Sequence, residues 1–285
     1  MNKLEKLYNE DFLLEYFFKA IGELKEKYSE LGENITSYLD KLVTLKKITQ
    51  VQLDAVVSIC DTILKRYKDD ILCLNIKGIA YYYLENLVQA LKNINESLKI
   101  DKEQFLAYYI NVNLLFEKQS LNLALRFIDK AISINKDCIS CYILKGIILH
   151  HKDNFSEALA YFEKALKMHG SNISAMNHKA LELFRLNRIR EALTLCNDVL
   201  SVSPDNLFTL INRGLILAKN QEYEAAIESF NAYATKRKDI RILTHLKNCY
   251  EKLGSSSKVS EYTREIKKLV ARKKSLNKSE QNNEQ

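Results

Sequence analysis

Cys138 and Cys141, in the stretch CISC, are the residues whose type and spacing come nearest to a reactive centre. One CxxC supplies two soft thiolate ligands, whereas a structural zinc site needs four. No second cysteine pair and no HxxxH motif stands nearby to complete it. His150 and His151 follow on the same helix, but ligands about ten residues apart on one helix are separated by roughly 15 Å of rise. The pair therefore reads as helix-surface thiols, with no metal and no cofactor. A second candidate is a lysine or arginine followed by glycine: KGIAYYY at 77–83, KGIILHH at 145–151 and RGLILAK at 213–219. A phosphate loop needs GxxxxGK[ST] after a strand, so that backbone N–H groups and the lysine converge on the phosphates. Here the glycine follows the lysine inside a helix. Gly78, Gly146 and Gly214 read instead as sites of close helix approach, and the lysine stems as lying along apolar surface with their charge in water. HExxH, GxSxG and a glycine-rich dinucleotide turn are all missing, and none of the five histidines has a serine or cysteine at a family spacing. No enzyme activity is expected.

The elements that carry these residues follow from composition. The chain has 285 residues, 47% apolar and 28% charged, which predicts a folded protein. Seven glycines and one proline are too few for a sheet protein full of tight turns, so an almost entirely helical chain is expected. Net charge is +7, and part of the excess is concentrated in Lys267, Lys268, Arg272, Lys273, Lys274 and Lys278. This run leads into a polar tail, 275–285, expected to be solvated and disordered. No apolar stretch approaches membrane-span length. Glu5, Glu10, Asp11 and Glu15 break up any signal-peptide core. Six dispersed cysteines fit reduced thiols, and a cytoplasmic protein is expected.

The strongest signal is an internal repeat. Ala90, Ala124, Ala158, Ala192 and Ala226 recur every 34 residues without an insertion. Four residues beyond each stands a bulkier one: Ile94, Ile128, Phe162, Cys196 and Phe230. Twelve before each stands Gly78, Val112, Gly146, Ala180 or Gly214, mostly small. Residues four apart share a helix face, and a small residue on a preceding helix lets two helices approach. Each repeat is thus two antiparallel helices, A then B, joined by a short turn. Pro204 falls between repeats, where it breaks no helix.

These columns, with Ala131, Ala165 and the Pro204–Asp205–Asn206 run, resemble the tetratricopeptide repeat family. Clear repeats span 71–104, 105–138, 139–172, 173–206 and 207–240, with degenerate repeats at 37–70 and 241–274. Residues 1–36 read as an N-terminal apolar helix, a cap or an interface. The resemblance implies an all-α, right-handed superhelical solenoid whose concave side is lined by the A helices. It also implies which helix A positions face the groove. These include Asn75, Ile79, Tyr82 and Tyr83 in the first clear repeat, then Tyr109, Asn113 and Phe116. Ile143, Ile147 and His150 follow, then Asn177, Leu181, Phe184 and Arg185, then Phe208. The surface is aromatic and aliphatic with few charges, and Asn75, Asn113 and Asn177 could bond a partner's backbone.

The expected function is a non-catalytic protein–protein interaction scaffold binding an apolar or amphipathic peptide or helix in that groove. A chaperone C-terminal tail is disfavoured, because no three consecutive repeats carry the cations of a carboxylate clamp. The alternatives are single-stranded RNA binding through stacked aromatics and self-association. Phe12, Leu13, Leu14, Tyr16, Phe17, Phe18, Ile21, Leu24 and Tyr28 make the first helix more apolar than one stripe requires. That helix could cap the array, fill the groove or join two copies as a homodimer through residues 10–30.

Overall fold

The structure, a computed structural model, describes residues 3–28, 30, 33–45 and 48–283, with side chains described over 13–28, 30, 35–45 and 48–272. Among the described residues all regular structure is helical. The chain divides into two compact bodies, Met1–His169 and Gly170–Gln285. The N-terminal body opens with α1 (Lys3–Lys27), α2 (Glu33–Val43) and α3 (Gln50–Arg66). Three A–B pairs follow: α4 (Ile71–Tyr83) with α5 (Leu87–Ile100), α6 (Phe105–Glu117) with α7 (Leu121–Ile134), and α8 (Ile139–His150) with α9 (Phe155–Met168). The C-terminal body holds three more: α10 (Ile173–Arg185) with α11 (Ile189–Val202), α12 (Leu207–Lys219) with α13 (Tyr223–Lys236), and α14 (Ile240–Lys252) with α15 (Ser256–Asn283).

The repeat columns form the seam of each pair. All five alanines of the 34-residue column are fully buried, and so are Ile94, Ile128, Phe162, Cys196 and Phe230. The glycines face those bulky residues directly. A Cβ at Gly78 would stand 2.3 Å from Ile94 Cδ1, one at Gly146 2.6 Å from the Phe162 ring, and one at Gly214 2.4 Å from the Phe230 ring. Glycine is therefore a spacing device here. The lysines beside two of them depart from expectation. Lys77 bonds Asp61 at 2.6 Å and Lys145 bonds Asp129 at 2.6 Å, each reaching the preceding helix B. Their charges are paired rather than left in water.

A second device recurs with the repeat. Glu85, Gln119, Asp153, Asn187 and Gln221, each 34 residues after the last, all adopt left-handed φ of 56° to 67°. Four follow an A helix by two residues and Asp153 follows α8 by three. In the first, the Asn86 amide bonds the Tyr81 carbonyl at 2.9 Å and the Glu85 amide bonds the Tyr82 carbonyl at 3.0 Å. This double return to the last turn is the Schellman arrangement, which usually takes glycine at the left-handed position. Only the turn between α14 and α15 does so, with Gly254 at φ 71°. At the opposite ends, Asp70, Asn172, Asn206 and Asp239 accept a backbone N–H from the first turn of α4, α10, α12 and α14.

Over the region read as the degenerate repeat 37–70, α2 packs on α1 and α3 packs on α4. The backbone of α15 continues to Asn283 through most of the stretch read as a polar tail. The side chains of Phe12, Lys273, Lys274 and Lys278 lie outside the described residues.

Candidate functional site

The N-terminal body covers its own A helices. α1 runs antiparallel to α4 and also packs on α8. Leu13, Phe17, Ile21 and Leu24 are fully buried, with Ala20 at 1% exposure. These residues recur every three or four positions and form one stripe. The Phe17 ring meets Tyr83 in the last turn of α4, edge-on at 6.3 Å, and Tyr83 meets Tyr82 at 5.4 Å. At the other end, the Tyr28 hydroxyl and Lys27 each donate to Asp70 at 2.5 Å, while the Cys73 amide donates to the same carboxylate at 2.7 Å. Burial pushes the Asp70 carboxyl up, but these hydrogen bonds and the Lys27 charge outweigh it and hold the pKa below its ordinary value.

Most of the residues that the register placed in this groove are buried. Ile79, Tyr82, Tyr109, Phe116, Ile143 and Ile147 are all buried, and Tyr83 and His150 are half-buried. The asparagines are committed within the protein. Asn75 donates to Gln104 at 2.9 Å, and Asn113 donates to the Tyr109 carbonyl at 2.9 Å. In the C-terminal body, Asn177 accepts from the Thr209 hydroxyl at 2.6 Å and is 1% exposed. The Asn75 and Asn177 bonds tie their A helices to the start of the next A helix, whereas the Asn113 bond lies within α6. Phe208 is likewise buried, against the His178 ring at 5.3 Å.

The C-terminal body keeps an open groove. A cavity of about 470 Å³ is lined by Phe184, Arg185, Leu215, Ala218, Lys219, Tyr223, Phe230, His245, Asn248, Cys249 and Lys252. Phe184 and Arg185 were identified from the register as groove residues. Leu215, Ala218 and Lys219 occupy the equivalent positions one repeat later. His245, Cys249 and Lys252 occupy positions five, nine and twelve of the degenerate repeat 241–274, and extending the same register into that repeat would have found them. The His245 ring stacks on Phe230 at 5.3 Å. Burial and the Arg241 charge lower its pKa, against a smaller opposing pull from Asp239, so it is neutral near pH 7. Among the described residues no three His, Cys, Asp or Glu side chains converge as a metal site. Cys138 and Cys141 are buried rather than surface thiols, at 8% and 0% exposure.

The sequence family described as the tetratricopeptide repeat protein 21 C-terminal ARM domain matches residues 19–216 of the chain, well over half of it. The chain belongs to that family. Solved structures share the fold of this TPR-like chain. YrrB, a TPR protein with an unusual peptide-binding site, is 20% identical, with a TM-score of 0.53 over 66% of this chain and 97% of its own. The Cut9–Hcn1 hetero-tetramer of APC/C is 15% identical, with a TM-score of 0.68 over 93% of this chain and 54% of that one. A tetratricopeptide repeat protein from Parabacteroides merdae ATCC 43184 is 12% identical, with a TM-score of 0.66 over 88% and 93%. No curated protein matches the sequence. The fold class is thus the all-α solenoid of antiparallel helix pairs. Among the described residues no helix is long and apolar enough to cross a membrane.

Proposed function

We propose that the chain is a non-catalytic protein-interaction scaffold, and that the groove of its C-terminal body holds an apolar or amphipathic peptide or helix. The observation that carries this reading is the contrast in coverage. In the N-terminal body α1 packs on α4 and α8, whereas Phe184, Leu215, Ala218 and Tyr223 line an open apolar cavity. Concave apolar pockets with a few polar groups at their rim are the usual places for a ligand. The peptide-binding site of YrrB, a protein of the same fold, supports the assignment. The six dispersed free thiols support a reducing compartment such as the cytoplasm.

Fluorescence anisotropy tests the reading, with the full chain and a labelled helical peptide bearing leucines at i, i+3, i+4 and i+7. Phe184→Ala with Leu215→Ala should weaken binding by about tenfold or more, since aromatic and aliphatic anchors dominate such contacts. Tyr82→Ala with Phe116→Ala should leave it unchanged, because those rings are already enclosed. An unaltered affinity in the first pair, or no binding by the unmodified chain, would refute the groove.

A further inference from the structure

We propose that the groove of the C-terminal body selects a partner's amphipathic helix that carries acidic residues two turns apart along the edge of its apolar stripe. This rests on the groove reading above and adds the chemistry of the occupant. The lining joins an apolar floor to three cations, Arg185, Lys219 and Lys252, and includes no carboxylate. All three are exposed, and among the described residues none forms an ion pair. Other cations of the same body do: Arg188 with Glu191, Lys236 with Asp205, Lys238 with Glu265 and Lys247 with Glu251. Three unpaired cations thus stand where the apolar surface is open.

The three cations stand in the last turns of α10, α12 and α14. A cation there answers the negative end of a helix macrodipole, which explains one per helix. It does not explain why all three converge on one apolar cavity. Helices packed side by side stand roughly 8–10 Å apart. A ligand helix crossing them advances that distance in about five to seven residues, at 1.5 Å per residue. Residues seven apart share a helix face. Carboxylates at i and i+7, beside an apolar stripe, would therefore meet successive cations. In the N-terminal body, α1 shows that A helices of this chain accept an amphipathic helix, which lies antiparallel along α4 and also touches α8.

The test uses the full chain and two labelled helical peptides with one leucine stripe. One carries glutamate and the other lysine at the i and i+7 edge positions. Anisotropy at low salt should show the glutamate peptide binding roughly tenfold more tightly, the sum of a few exposed ion pairs. That advantage should shrink as salt rises. The variant Arg185→Glu/Lys219→Glu/Lys252→Glu should invert the preference with its helicity intact by circular dichroism. Equal affinity for the two peptides would overturn the charge selection while leaving the apolar groove in place. Binding of neither would refute the groove itself. If the triple variant folds poorly, the salt titration on the unaltered chain decides, and a salt-independent preference overturns the proposal. Tighter capture of oligouridine than of the glutamate peptide would assign the cations to phosphate and overturn it as well.

Discussion

The two bodies use the same helix pair and differ in what lies on the A helices. In the N-terminal body, α1 brings its own apolar stripe and is held at one end by Asp70. In the C-terminal body, the corresponding face is open and edged with cations. The aromatic content is similar: Tyr82, Tyr83 and Phe116 on one side, Phe184, Tyr223 and Phe230 on the other. What separates a core from a binding surface is therefore occupancy. Aromatics alone do not make a site when the chain itself supplies the ligand.

The comparison can be broken most forcibly at Phe17. Phe17→Ala should destabilise the N-terminal body by about 3–5 kcal/mol, as for other fully buried phenylalanines, read by denaturant unfolding. Phe184→Ala, half-buried at the open groove, should cost far less stability and act instead on peptide affinity. Equal stability losses at the two positions would erase the distinction. Next in size is Gly146→Ala. Its Cβ would meet the Phe162 ring at 2.6 Å, and overpacking of this kind costs about 1–3 kcal/mol. Combining it with Phe162→Leu should recover part of the loss, and no recovery would show that the ring is not what fills the space.

Asp70 provides a pH test of the covered side. Its folded pKa lies below the unfolded value, near 4 for a carboxyl, so its contribution is fully present above that value and is lost as pH falls through the folded pKa. Hydrogen-exchange protection factors of α1 amides should therefore fall below about pH 4. Asp70→Asn should reproduce the loosening at pH 7, at about 1–3 kcal/mol, by removing the anion that Lys27 and Tyr28 bond. Unchanged α1 exchange in that variant would mean that the stripe alone holds the helix. The smallest expected effect is at the turns. Asp153→Gly should stabilise by about 0.5–1 kcal/mol, because φ is 60° there and only glycine adopts it freely. A loss of stability, measured by thermal unfolding, would show that the Asp153 side chain contributes more than its backbone strain costs.

The alanine column and the residues four beyond it were legible because 34-residue recurrence and helical spacing depend on local sequence alone. Gly78, Gly146 and Gly214 were read correctly for the same reason, since a small residue opposite a bulky one has few other uses inside a helix. The pairing of Lys77 with Asp61 and of Lys145 with Asp129 crosses from one repeat to the next, and a reading within single repeats missed it. The left-handed turns were hidden because Glu, Gln, Asp and Asn stand where glycine would have announced them. Lys252 and His245 were missed because the register was not carried into the degenerate last repeat, although position alone would have placed them. The position of α1 was the hardest to see. Its stripe demands a partner surface, but an amphipathic pattern carries no address, and cap, groove and second copy offer the same hydrophobic gain.

The seat of α1 also has a consequence for biosynthesis. A solenoid normally assembles from neighbours, each repeat docking on the one just made. Yet α1 is complete before α4 and α8 are made, and α8 ends roughly 120 residues after it. At about 5–20 residues per second, the ribosome takes on the order of 6–25 s to supply it. For that interval α1 has α2 and α4 to pack on but not α8, so its seat is completed only when α8 emerges.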